Sequence, residues 1–117
     1  MAASEQAIAL VRKAAAAADE IKAEDLVALD VTSRMPLTDI FLVASGNSER
    51  QVTAIAEAIE EALHEDGVKA LRREGVREGR WALLDFNDIV VHVMHQEDRV
   101  YYELERLWKD CPVVSLD

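Results

Sequence analysis

Residues 39–67 constrain the fold more than any other part of the chain. Asp39-Ile40-Phe41-Leu42-Val43-Ala44 is a short, largely apolar run of strand length. It passes through Ser45-Gly46-Asn47-Ser48 into Val52, Ile55, Ala56, Ile59 and Leu63, which recur at helical spacing. Ser48-x-x-Gln51 is a capping-box pattern that opens the helix, and Gly67 supplies its stop. A strand that turns directly into an amphipathic helix is the building unit of an α/β sheet.

The flanking segments extend this unit. Ile8, Val11, Ala15, Ala18 and Lys22 form one stripe of an Ala-rich segment, predicting a helix over residues 4–24. Leu26-Val27-Ala28-Leu29-Asp30-Val31 reads as a strand, separated from the next by a loop containing Pro36. Trp81-Ala82-Leu83-Leu84-Asp85 and Ile89-Val90-Val91-His92-Val93-Met94 flank Phe86-Asn87-Asp88, an antiparallel hairpin in which Asn87 is able to take a left-handed turn conformation. Tyr101, Leu104, Leu107 and Trp108 share one side of a helix predicted over 98–109, before Pro112 and a short tail over 111–117. With Val68-Lys69-Ala70-Leu71 taken as a strand, the order is α-β-β-α-β-β-β-α. The expectation is a single small α/β domain over residues 1–117, with a mixed β-sheet and about three helices.

Charge narrows the function classes. The 117 residues are too few for two independent cores, and 13 Lys+Arg against 23 Asp+Glu leave a formal charge of −10. That balance argues against a general nucleic-acid binder, whose affinity rests on a basic footprint. It leaves a basic protein open as partner. Residues 67–80 run the other way, with Lys69, Arg72, Arg73, Arg77 and Arg80 against Glu74 and Glu78. The one cysteine, Cys111, cannot form an internal disulfide, and the Ala-rich start is broken by Glu5, Arg12, Lys13, Asp19 and Glu20. A cytoplasmic protein without membrane association is expected.

Candidate chemistry is thin. Ser45-Gly46-Asn47-Ser48 has one glycine and neither Lys-Ser nor Lys-Thr, so it reads as a turn and helix cap rather than a phosphate loop. Asp39, Asp85 and Asp88 could approach a Mg²⁺ ion, but Asp85 and Asp88 straddle a turn where acidic residues are common. His64, His92 and His95 lack metal-ligand spacing, and His92 alternates with Val90 and Met94 as a half-buried strand residue. No metal, cofactor or catalytic residue is expected. Alternation instead places Trp81, Leu83 and Asp85 on one face of their strand, with Ala82 and Leu84 on the other. Trp81 and Leu83, bordered by Asp85 and Phe86, either form an apolar patch with an acidic rim or belong to the core.

Several motifs in order carry a resemblance. Asp39-Ile40-Phe41-Leu42-Val43-Ala44-Ser45-Gly46-Asn47-Ser48 with Arg50-Gln51-Val52 comes first, then Glu74-Gly75. Gly79-x-Trp81-x-Leu83-Leu84-Asp85-Phe86-x-Asp88-Ile89-Val90-Val91-His92-Val93 follows, then Arg99-x-Tyr101-Tyr102-Glu103-Leu104-Glu105-Arg106-Leu107-Trp108. Together, over residues 23–110, they resemble the ribosomal silencing factor family, RsfS or Iojap-like. Departures are Asn87 where the family often has glycine, Met94 where an aromatic is common, and a longer Ala-rich start.

The resemblance implies a fold similar to a minimal nucleotidyltransferase core, without enzymatic activity. It implies binding to the large ribosomal subunit through ribosomal protein fourteen, a steric block to joining of the small subunit, and repression of translation when nutrients are scarce. It also implies a homodimer when free. Carried over by residue, Trp81 and Leu83 are the apolar anchors with Asp85 and Phe86 beside them, and Asp85 and Asp88 face basic side chains. Arg72, Arg73, Arg77 and Arg80 become a minor contact to ribosomal RNA phosphates, while Tyr101, Tyr102, Glu105, Arg106 and Trp108 pack the last helix on the sheet. The alternative is a nucleotidyltransferase-like enzyme or nucleotide-binding protein. That reading needs Gly-Ser followed by Asp-x-Asp, and the chain has Ser45-Gly46 and no Asp-x-Asp.

Overall fold

Local signals produce most of the elements in a computed structural model that describes residues 2–102, 106 and 108–117. Ser4 caps helix α1 (Glu5–Glu20), its hydroxyl accepting from the Ala7 N–H. The helix stops short of the expected residue 24 because Lys22 turns left-handed, at φ 63°. Strand β1 (Glu24–Asp30) follows, then β2 (Ile40–Gly46), then α2 (Glu49–Glu65).

Ser48 Oγ caps α2 by accepting from the Gln51 N–H at 3.0 Å, while Gln51 Oε1 accepts from the Asn47 N–H at 2.8 Å. The same Gln51 amide donates to the carbonyls of Ile21 and Lys22, binding the start of α2 to the end of α1. Lys13 pairs with Asp66 at the opposite end, so the two helices run antiparallel. Helix α2 closes with a Schellman motif, in which Val68 N–H bonds Leu63 O and Gly67 N–H bonds His64 O.

The remaining elements are β3 (Arg72–Glu74), β4 (Trp81–Asp85), β5 (Ile89–His95), α3 (Gln96–Tyr102) and β6 (Val113–Val114). The six strands lie in the order β3-β4-β5-β2-β1-β6, with β2 and β5 parallel and every other pair antiparallel. Helix α2 lies in the crossover joining that parallel pair, as such a connection requires.

Both long helices cover one face of the sheet. Val11, Ala14 and Ala18 of α1 and Val52, Ile55, Ile59 and Leu63 of α2 are buried against Ala28, Ile40, Leu42, Ala82, Leu84, Ile89, Val91 and Val93. We call this the inner face. The opposite, outer face holds a smaller cluster of Leu29, Val31, Phe41, Val90 and Cys111, with Met35, Leu83 and Trp108 packed on it.

Three expectations need correction. Val68-Lys69-Ala70-Leu71 is not a strand: Val68 and Ala70 pack on the inner core as a connecting loop, and the strand is the exposed Arg72–Glu74. As an edge strand with both faces wet, it carries no apolar alternation to reveal it. The tail contributes β6, pairing Val113 with Leu29 and Val114 with Ala28. The last helix begins at Gln96, before residue 98, and Trp108 lies in a turn; Glu105 of the expected packing set lies outside the described residues.

Candidate partner-binding face

The β3–β4 loop fixes where β4 begins. Gly75 and Gly79 take φ of +71° and +73°, and a Cβ on either would lie 2.1 Å from Trp81 O or 2.3 Å from Glu49 O. Only glycine lets this loop press against the first residue of β4 and the first turn of α2. Thr53 Oγ1 reinforces the contact, donating to Val76 O at 2.6 Å. Arg80 then anchors the start of β4 to α3, with a bidentate pair to Asp98 at 2.8 and 3.1 Å and Glu97 and Glu49 within 3.8 Å.

Pairing defines what shares the outer face. Trp81 lies opposite Met94, Leu83 opposite His92 and Asp85 opposite Val90. In the other direction Glu74 lies opposite Leu83 and Arg72 opposite Asp85, so both project to the outer face with them. Exposure is graded across this surface: Val90, His92 and Met94 are buried, Trp81, Leu83 and Asp85 half-buried, and Arg72 and Glu74 exposed. Trp81 is thus neither core nor fully free. Its position is a shelf where the outer cover thins toward the edge of the sheet.

An aromatic row supports the shelf from below. The Trp81 indole N–H donates to His92 Nδ1 at 3.1 Å, and Phe41 meets His92 edge-on at 5.0 Å between centroids. Phe41 in turn contacts Trp108 at 5.1 Å, and the Arg34 guanidinium lies 5.7 Å over the Trp108 ring. Burial pushes the His92 pKa down to about 4, leaving a neutral imidazole at physiological pH.

Phe86 does not join the patch. It is 5% exposed within the inner cluster, the side to which alternation through Ala82 and Leu84 assigns it. That signal was present in the sequence. Asp88 is half-buried in the hairpin turn, where Asn87 has φ 75° and its N–H bonds the Asp85 carboxylate at 2.8 Å.

The basic stretch is divided among several tasks. Arg73 points to the inner side and forms a bidentate pair with Glu60 of α2, both bonds 2.9 Å, while Arg72 pairs with Glu74 at 2.9 Å on the outer side. Arg80 is held by α3. Of the four expected RNA-contacting arginines, Arg77 makes no ion pair with a described residue.

Two of the three carboxylates weighed against a metal site are engaged in local hydrogen bonds. Asp39 accepts from the Ser4 N–H at 2.9 Å and Asp85 from the Asn87 N–H. Among the described residues no group of three or more His, Cys, Asp or Glu could hold a metal ion. Ser45 is buried, bonded to Arg99 at 2.8 Å, and Ser48 is the α2 cap, so this turn serves structure.

Comparison with known proteins decides the family. A family model described as ribosomal silencing factor during starvation matches residues 4–117. The chain belongs to the RsfS family. Ribosomal silencing factor RsfS of Bacillus subtilis is 45% identical over 108 residues, 92% of each chain. Chloroplastic protein Iojap of Zea mays is 30% identical over 102 residues, covering 87% of this chain and 44% of Iojap. A crystal structure of a Chromobacterium violaceum protein superimposes with a TM-score of 0.84 at 39% identity, over 86% of this chain and 84% of that one. A Bacillus halodurans structure gives 0.81 at 43% identity, over 92% and 97%.

For this RsfS-family chain, the fold brings Trp81, Leu83 and Asp85 together on one face and sets Asp88 in the turn after Asp85. Sequence reasoning did not find Glu74 and Arg72 beside them. Their placement follows only from the β3–β4 register, for which a three-residue polar strand leaves no periodic trace.

Proposed function

We propose that this protein represses translation by binding the large ribosomal subunit through ribosomal protein fourteen and occupying the surface where the small subunit docks. The action is regulatory, takes place in the cytoplasm and requires no bond to be made or broken. The observation that carries this reading is the outer face of β4, where half-exposed Trp81 and Leu83 are bordered by Asp85, Asp88 and Glu74. Such a face suits a partner combining apolar and basic groups: buried aromatic anchors supply affinity, and rim charges supply orientation and encounter rate. Of Arg72, Arg73, Arg77 and Arg80, the exposed Arg77 makes no ion pair with a described residue and is the one assigned to a ribosomal RNA phosphate. In the free protein the same apolar shelf is covered by a second copy, forming a homodimer.

Cosedimentation with isolated large subunits tests the reading. Wild type pellets with them and slows their joining to small subunits. Trp81→Ala weakens binding by roughly thirtyfold or more, the loss of a hot-spot aromatic worth about 2 kcal/mol, while circular dichroism remains that of the folded protein. Absence of wild-type cosedimentation at low and moderate salt refutes it.

A further inference from the structure

The proposed anchor is held by a group that packing alone does not explain. Trp81 and His92 are diagonal neighbours on the outer face of β4 and β5, and the indole N–H donates to His92 Nδ1 at 3.1 Å. A neutral imidazole that accepts at Nδ1 carries its proton on Nε2. Nε2 is buried and has no hydrogen-bond partner among the described residues, and the ring as a whole is 7% exposed. An apolar side chain would fill the slot beside Phe41 without stranding a donor. What the imidazole can do, and leucine or phenylalanine cannot, is accept the Trp81 N–H.

We infer that His92 is a positioning residue for the contact face: by accepting the Trp81 indole N–H it holds the half-exposed ring in one orientation before the partner arrives. The support continues laterally, since His92 is braced by Phe41 and Phe41 by Trp108. An anchor already fixed loses less rotamer freedom on docking, and residues beneath a binding surface commonly serve this end. This inference rests on the docking reading above and adds how its principal side chain is set.

Nuclear magnetic resonance of the full chain and binding to large subunits test it together. In wild type the ¹⁵N shifts of the His92 ring show the Nε2–H tautomer, and Trp81→Phe abolishes that bias. His92→Leu moves the Trp81 indole N–H resonance and weakens large-subunit binding a few-fold to about tenfold, the range for one hydrogen bond. His92→Asn, which keeps an acceptor near the Nδ1 position, restores both. In a Trp81→Phe background, His92→Leu weakens binding no further. An unmoved indole resonance in His92→Leu, or a His92 tautomer unaffected by Trp81→Phe, overturns the inference, as does equal loss of binding in both backgrounds. Failure of wild type to bind large subunits refutes the docking reading instead, and the two resonance measurements still decide whether His92 orients Trp81.

Discussion

At the scale of single residues, the outer face turns on a trade between stability and presentation. His92 is buried, and burial holds its pKa at about 4 against an ordinary value of 6.5. The unfolded chain therefore binds a proton between those values that the folded chain does not, so stability rises with pH across this window and falls as pH drops from 6.5 toward 4. We expect this group to cost up to about 3 kcal/mol at pH 4 relative to pH 7, from about 1.4 kcal/mol per pH unit. Urea unfolding of wild type and His92→Leu at several pH values checks it: the pH dependence of the difference should be confined to that window and flat above pH 7. Alternation with Val90 and Met94 placed His92 on the right face but predicted it half-buried, whereas it is 7% exposed because Phe41 and Trp81 pack on its ring. Its bond to Trp81 was not legible, because a diagonal contact exists only once the register of β4 on β5 is set.

At the scale of elements, the loop before β4 determines where the proposed contact strand starts. Gly75→Ala would bring a Cβ to 2.1 Å from Trp81 O in a left-handed conformation. A loss of about 2 kcal/mol or more is expected in equilibrium unfolding, together with displacement of the Trp81 indole resonance. Arg80 illustrates a residue whose charge is misleading in isolation. Its bond to Asp98, with Glu97 and Glu49 close by, ties the start of β4 to α3 and the first turn of α2. Arg80→Ala should lower stability only slightly in equilibrium unfolding, because solvent screens the pair, while leaving the salt dependence of large-subunit binding unchanged. Arg77→Ala should reduce that salt dependence instead, if measured by cosedimentation over a salt series. Helices α1 and α2 and the hairpin were readable because caps, stops and periodicity are local. The three residues of β3 were not, since an exposed edge strand is selected by its neighbour's hydrogen-bonding groups rather than by its own side chains.

At the scale of the whole molecule, a charge of −10 has a definite consequence for a ribosome-directed protein. We expect no measurable affinity for naked ribosomal RNA at moderate salt by gel shift, and binding only when the ribosomal protein is present. Light scattering of the free protein should report twice the chain mass, with Trp81→Ala shifting it toward the monomer if the same shelf is covered in the dimer. The sequence alone determined the α/β class, the strand–turn–helix unit, the left-handed Asn87 and the alternation of Trp81, Leu83 and Asp85. Each of these depends on residues within a few positions of one another. Tertiary structure decided the rest: that both long helices take the same face, that the outer cover thins at β4, and that Glu74 and Arg72 join the rim. It also gave three of the basic residues to carboxylates. Those outcomes depend on which strands become neighbours and on what covers each face, and neither is encoded in the spacing of residues along one segment.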